Sequence, residues 1–411
     1  MTSEPLWKIS EVMAATGGEL CGDVSARLDG VSIDSRAVAH GDIFVAIKGE
    51  RFDGNDFAAS ALENGAGLAI VSRLDDEMKN AGPVLLVDDP LAAMEKLGRA
   101  ARARTDAKVI AVTGSVGKTT TKDALRLALS KCGRTHAATA SFNNHWGVPL
   151  TLCRMPRDTQ YAVFEIGMNH AGEIEPLVKM VRPHVAIITA VAECHLGHFS
   201  SLDDIAKAKA EIFAGVEPGG AVVLPADSAY FGFFKQQAKK AGIEHVTGFG
   251  QAKAADAQLE RSVLHGTCSC VTADILGDKV TYRLGAPGAH VVANSLAVLA
   301  AAKLAGADLA KVALALADLA PPKGRGERLK LHTRNGAFLV IDESYNANPA
   351  SMRAALALLG AANPKGRGRR IAVLGDMLEL GENSAGLHGG LVEPIEAAGA
   401  DLVFACGPEM K

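Results

Sequence analysis

A lysine and a threonine that follow a glycine-rich turn are the residues of this chain best suited to chemistry. The stretch VIAVTGSVGKTTTK reads as a buried strand (Val109 to Val112), a tight turn (Thr113 to Gly117) and a helix that starts at Lys118. Such a turn cradles phosphates. Gly114 and Gly117 let the backbone approach an anion, and the N–H groups of the new helix point at it with the positive end of the helix dipole. Lys118 adds a point charge for the outer phosphates, and the Thr119 hydroxyl can ligate a magnesium ion that bridges them. Gly114, Ser115, Val116, Gly117, Lys118, Thr119 and Thr120 are therefore the candidate nucleotide contacts. The general phosphate-loop pattern has a further glycine five residues before Gly117, where this chain carries Val112. The strand–turn–helix context decides for a phosphate loop over a glycine-rich turn with a solvated lysine.

Other chemistry-bearing residues fall at the ends of strand-like runs. Glu165 closes YAVFEIG, His195 follows VAIITAV, Asp342 ends AFLVID, and SFNNHWGVPLT (141–151) reads as a polar loop. Taken singly, a strand-end glutamate is a solvated carboxylate and a histidine beside another (His198) is polar surface. Convergence changes the reading, because a hard magnesium ion wants a hydroxyl, a carboxylate and phosphates in one crevice, and Thr119 and Glu165 supply two of these. In SLDDIAKAKAEIFAG, an amphipathic helix capped by Ser or Asp, Lys207 and Lys209 read as solvent-facing charges. His290 and Asn294 lie four apart at the start of a helix from Gly288 to Ala300 and share one face, which suits a base or ribose as well as an ordinary cap. Near the N-terminus, Asp34, Ser35, Arg36, Lys48 and Gly49 sit beside strands. A ligand contact and a surface turn explain them equally well.

The elements that must position these residues belong to an α/β chain. At 411 residues it exceeds one compact core, and a prior of roughly 100–200 residues per domain suggests about three. With 48% hydrophobic and 22% charged residues the composition is that of a globular protein, and a net charge of −3 gives no electrostatic reason to expect nucleic acid or an acidic membrane as a partner. No apolar run approaches the roughly 20 residues that span a bilayer, and MTSEPLWKIS lacks an export signal. Seven scattered cysteines, with only Cys268 and Cys270 close together, fit reduced thiols in the cytoplasm.

Residues 1–104 alternate short strands with turns, a helix from Phe57 to Asn64 and an alanine-rich helix from Pro90 to about Arg104. Residues 105–320 repeat strand then helix in the manner of a mostly parallel sheet covered on both faces. Ligands of such sheets bind beyond the carboxyl ends of the strands. Residues 321–411 open with KGRGERLKL, read as a hinge-like connector, and continue with AFLVID, the turn ESYNANP, a helix Ser351 to Leu359, RIAVLGD, a helix near Leu387 to Ala398 and DLVFA.

In order, TGSVGKTTTK, FNNHWGVPLTL, FEIGMNHAGEI, CHLGHFSS, AKAKAEIF, DESYNANPASM and VLGDMLELG resemble the motifs of the Mur ligases, the ATP-dependent amide-forming enzymes of bacterial cell-wall precursor synthesis. The likeness runs over essentially the whole chain. It implies a small N-terminal α/β domain that binds a UDP-sugar, a central ATP-binding phosphate-loop domain and a C-terminal Rossmann-like α/β domain. SYNANP with LGDMLELG is most like the members that add D-alanyl-D-alanine to UDP-N-acetylmuramoyl-tripeptide. Ligases of the family acting on another amino acid or on folate, and a phosphate-loop NTPase used as a regulatory module, are the alternatives.

Carried over residue by residue, the resemblance implies Lys118 on the outer phosphates, with Thr119, Glu165 and His195 holding magnesium. Lys209 matches the lysine that members carbamylate into a carboxylate-like metal ligand. Asn294 would contact adenine, Arg325 the phosphates, and Asp342 the nucleotide. Asn144 and Thr151 would face the UDP-linked substrate, with Ser35 and Arg36 nearer the uridine diphosphate. ATP, Mg2+, the UDP-tripeptide and D-alanyl-D-alanine are the implied ligands of a cytoplasmic monomer. Relatives continue for some tens of residues beyond the position of Lys411 and complete the third sheet, so no residue is assigned to the incoming dipeptide.

Overall fold

A computed structural model describes residues 4–194, 197, 199–334, 336–364 and 366–410. His195 lies outside the described residues. The chain divides into two compact units. One comprises Met1–Val109, Arg134–Ile166 and Pro176–Arg182, and the other Ile110–Gly133, Gly167–Glu175 and Pro183–Lys411.

In the first unit, strands β1 (Glu19–Cys21), β2 (Gly30–Ser32), β3 (Asp42–Val45), β4 (Leu68–Val71) and β5 (Val84–Leu86) form a sheet of order β1-β5-β4-β3-β2, parallel except for β1 against β5. Every residue of β4, LAIV, is buried, as a strand covered on both faces requires. The helix Pro90–Ala103 packs Ala93, Met94, Leu97 and Ala101 into the same core as Ile43, Val45, Leu68 and Ile70. Its start is fixed twice, by Pro90 in the first turn and by Asp89, whose carboxylate accepts from the N–H of Leu91 at 2.8 Å. After β6 (Lys108–Thr113), this unit resumes with the parallel pair β7 (Thr135–Ala137) and β8 (Tyr161–Glu165). The helix Gly147–Cys153 lies between them in sequence. The second half of the stretch read as a polar loop is thus a wholly buried helix, begun by an asparagine side chain described below.

In the second unit, β9 (Val185–Ile188), β10 (Ala221–Pro225), β11 (His245–Gly250), β12 (Ala257–Leu264), β13 (Ser269–Ile275) and β14 (Asp278–Leu284) follow the order β14-β13-β12-β11-β10-β9-β6. The pairs from β6 to β11 are parallel, as the alternation of strand and helix predicts, and β11 meets β12 in parallel only at Phe249 and Gly250, with no helix between them. Beyond them β12, β13 and β14 run antiparallel with no helix between. Leu276 and Gly277 turn β13 into β14 with φ of 53° and 88°, the paired positive angles that suit a two-residue hairpin.

After Pro322 the structure departs from the expected connector. Glu327–Thr333 is a strand, β15, antiparallel to β16 (Gly336–Asp342). Main-chain pairing along its whole length turns polar ERLKLHT into strand. The helix Pro349–Ala361 is started by Asn348, whose side chain accepts from the Ser351 N–H. β17 (Ile371–Gly375) and β18 (Leu402–Cys406) are parallel and, among the described residues, pair with no other strand. The helix anticipated near Leu387 to Ala398 is two helices, Ser384–Gly389 and Val392–Ala397, interrupted after Gly389 and Gly390. Val373 on β17 and Phe404 on β18 are 73% and 53% exposed.

Candidate active site

The apolar strand β6 delivers the chain into residues 114–117, and the helix Lys118–Leu129 leaves it. Gly114 has φ 152° and Gly117 φ 83°. A Cβ on Gly114 would overlap the Thr189 hydroxyl, and one on Gly117 the side-chain amide of Asn294. Neither position accepts a side chain, so the loop is lined by backbone. It is also tied down at several points. The Ser115 N–H donates to the Ala190 carbonyl at 2.9 Å, and the Ser115 hydroxyl donates to the Ala192 carbonyl while accepting from the Ala192 N–H, both at 3.0 Å. The Thr189 hydroxyl donates to the Val116 carbonyl at 2.6 Å. Lys118 folds back so that Nζ donates to the Gly114 carbonyl at 2.7 Å. Thr119 is buried on the first turn, and Thr120 shares a small crevice with Asn294. A tied-down, backbone-lined turn that leads into a helix, with a lysine beside it, is the arrangement that suits an anion.

Lys209 lies next to last in the helix Leu202–Ala210, which Ser201 caps by accepting from the Asp204 N–H. Only 2% of it is exposed. Burial, with the like charge of Lys118 adding to it and Cys194 opposing, pulls its amine down to about 7. Lys207, by contrast, is exposed and pairs with Asp204 at 2.9 Å. Residues two apart on a helix point some 200° around the axis from each other, so only one of the two can face solvent. The next residue, Glu211, braces a neighbouring segment, its carboxylate accepting from the N–H groups of Gly172 at 2.7 Å and Ile174 at 3.1 Å.

Arg325 stacks its guanidinium 4.1 Å from the centre of the Tyr345 ring. Asp342 closes β16 and accepts from the Ser344 N–H at 3.0 Å, and the Ser344 hydrogen bonds hold its carboxyl below the usual range. Between them stands a residue that the sequence reading passed over. Burial raises Glu343 to about 7, with Arg325 opposing and Asp342 assisting. The protein crowded around His290 lowers its imidazole, although the residue keeps an exposed surface.

In the first unit, Glu165 ends β8 and is 3% exposed, and the Asn143 side-chain amide donates to its Oε1 at 2.7 Å. The adjacent Asn144 does something else. Its Oδ1 accepts from the N–H of Gly147 at 2.9 Å and of Trp146 at 3.3 Å, which starts the helix Gly147–Cys153. Thr151 donates to the Gly147 carbonyl at 2.7 Å and lines a cavity of about 390 Å³ together with His136, Phe142, Arg154 and Asp42. Ser35 and Arg36 occupy a short turn after β2. Asp34 accepts from both the Arg36 backbone N–H at 3.0 Å and its guanidinium at 2.9 Å, and that guanidinium keeps Asp34 below the usual carboxylate range.

Comparison with known proteins bears on this arrangement. Family models described as Mur ligase family catalytic domain, Mur ligase middle domain, and Mur ligase glutamate ligase domain match residues 27–103, 112–302 and 324–411. The UDP-N-acetylmuramoyl-tripeptide–D-alanyl-D-alanine ligase of Escherichia coli K12 is 38% identical over 404 residues, 98% of this chain and 86% of that protein. The chain belongs to the Mur ligase family. The enzyme of the same name from Bacillus subtilis is a second such Mur ligase, 35% identical over 92% of this chain and 80% of its own length. Among solved Mur ligases, a crystal structure of MurF from Acinetobacter baumannii superposes with a TM-score of 0.84 at 33% identity, covering 97% of this chain and 89% of that one. MurF ligase from Thermotoga maritima in complex with ADP superposes with a TM-score of 0.74 at 26% identity, covering 92% of this chain and 88% of that one.

Proposed function

We propose that this Mur ligase joins D-alanyl-D-alanine to UDP-N-acetylmuramoyl-tripeptide at the expense of ATP, giving the pentapeptide precursor of peptidoglycan, ADP and phosphate. The observation that carries the reading is identity of 38% across 98% of the chain to an enzyme of that name. The chemistry follows from a poor acyl donor. The tripeptide carboxylate oxygen attacks the γ-phosphorus of ATP and ADP departs. The amine nitrogen of the dipeptide then attacks the acyl carbon, the bond to phosphate breaks, and the amine proton passes to a base. The protein supplies position and charge. The backbone N–H groups of 116–120 and Lys118 would neutralise oxygens that gain charge during transfer, and a loop already tied down through Ser115 does so without reorganising.

Each proposed donor, within its own unit, is of the type a hard cation takes, the buried hydroxyl of Thr119 in one and the buried carboxylate of Glu165 in the other. Magnesium would be held by Thr119, Glu165, His195 and a carbamylated Lys209, and when bound it would screen the phosphate oxygens. An amine lowered to about 7 is partly neutral at neutral pH and so nucleophilic toward carbon dioxide, which supports carbamylation of Lys209 with release of a proton. Asn294 would take the adenine, Arg325 the phosphates and Asp342 the nucleotide. Asn144 and Thr151 would contact the UDP-linked substrate, and Ser35 and Arg36 the uridine diphosphate.

Residues 1–104, 105–320 and 321–411 would be the UDP-substrate, ATP-binding and Rossmann-like domains. No helix among the described residues is long and apolar enough to cross a membrane, and a cytoplasmic monomer that binds neither nucleic acid nor membrane fits the reading. A coupled assay of ADP release with UDP-N-acetylmuramoyl-tripeptide, with and without D-alanyl-D-alanine, tests it. ADP should appear in step with pentapeptide and only when the dipeptide is present. Release indifferent to the dipeptide, or product formed only from another amine, would overturn the assignment.

A further inference from the structure

We propose that Asn143 is a positioning residue that holds the Glu165 carboxylate in one orientation for a divalent cation. The proposal rests on the reading of Glu165 as a cation ligand. Asn143 donates through Nδ2 to Glu165 Oε1 at 2.7 Å. A carboxylate can only accept, so the amide must present its nitrogen there. A neutral donor orients the carboxylate without itself cancelling the charge, as a lysine or arginine in its place would. Such outer partners fix ligand geometry at metal sites.

Asn143 is itself clamped on both sides. A Cβ on Gly147 would fall 2.5 Å from the carbonyl carbon of Phe142 and 2.6 Å from its Cα, so the start of the buried helix is pressed onto the residue before Asn143. The Arg154 guanidinium lies 5.7 Å from the centre of the Phe142 ring. On the other side, Asn144 is committed to the first turn of that helix through the N–H of Gly147, and its carbonyl accepts from Val148 at 3.1 Å. The Asn143 N–H donates to the Ser141 carbonyl at 3.0 Å. A side chain on so constrained a backbone can impose an orientation on its partner rather than follow it.

The test uses the full chain with Asn143→Ala and the volume-conserving Asn143→Leu. Mn2+ binding in the presence of ADP is read by electron paramagnetic resonance, alongside melting temperature, the Mg2+ dependence of ligation and KM for the UDP-tripeptide. Loss of the donor should weaken Mn2+ binding by about 10–100-fold, the usual effect of removing an outer partner. Melting temperature should fall only by the modest amount that leaving a buried carboxylate oxygen without its donor costs, tripeptide KM should stay unchanged, and turnover should recover at high Mg2+. Mn2+ affinity equal to that of the parent protein would overturn the proposal, as would a raised tripeptide KM with Mn2+ affinity intact, which would make Asn143 a substrate contact. Failure of the parent protein to bind Mn2+ with ADP would remove it as well. If neither variant folds, the Nδ2 resonance of Asn143 in 15N-asparagine-labelled parent protein should move on addition of Mg2+ and ADP, and a static resonance counts against the idea. Cation binding is read apart from ligation, so a protein that binds Mn2+ but makes no pentapeptide would sink the functional reading alone.

Discussion

Lys209 differs from Lys207 only in the face of the helix it occupies, yet one is a buried amine at about 7 and the other a solvated ion pair. That difference has a pH signature. In the unfolded chain the amine titrates near 10.4, so between about pH 7 and 10 the unfolded state binds more protons than the native one. Stability therefore rises with pH across that window, by at most about 1.4 kcal/mol per unit, and below pH 7 the full cost of burying the ammonium is present. Urea denaturation of the parent protein and of Lys209→Met in bicarbonate-free buffer should show this rise in the parent and not in the variant. Parallel curves would mean that Lys209 is not buried as an amine. The residues of the phosphate loop were legible in the sequence because glycine, lysine and threonine at fixed local spacing suffice to define it. The burial of Lys209 was not, since a short helix with charges on two faces does not announce which face is covered. Asn143 and Asn144 are equally ambiguous, because neighbours in a loop carry no periodicity. Only the contacts show that one starts a helix and the other reaches Glu165.

At the scale of elements, local signals were the readable ones. The helix Pro90–Ala103 coincides with its predicted span to within a residue at its end. Asp89 before Pro90 marks that helix start. Asp89→Ala should cost about 1 kcal/mol, the usual worth of such a cap, seen as a lower urea midpoint with an unchanged slope. An unchanged midpoint would show that tertiary packing alone holds the first turn. β12 to β14 and β15 stayed hidden for a common reason. AQLERSVL, DKVTYRL and ERLKLHT owe their extended form to hydrogen bonds with the adjoining strand of a hairpin, and their polar residues resemble loop when read alone. The split between Ser384–Gly389 and Val392–Ala397 turns on two glycines, a local feature that apolar spacing across the gap concealed.

At the scale of the molecule, the rim of the sheet that ends in β14 meets water with charge. β14 carries Asp278, Lys279 and Arg283, all exposed and of the kind that discourage pairing with another chain. Without them that rim becomes a template for intermolecular β-structure. On gentle heating, a protein carrying Lys279→Val and Arg283→Val should therefore cloud at a lower temperature than its parent, as static light scattering would register, while the urea midpoint holds; an onset indifferent to the lost charges would place the guard elsewhere.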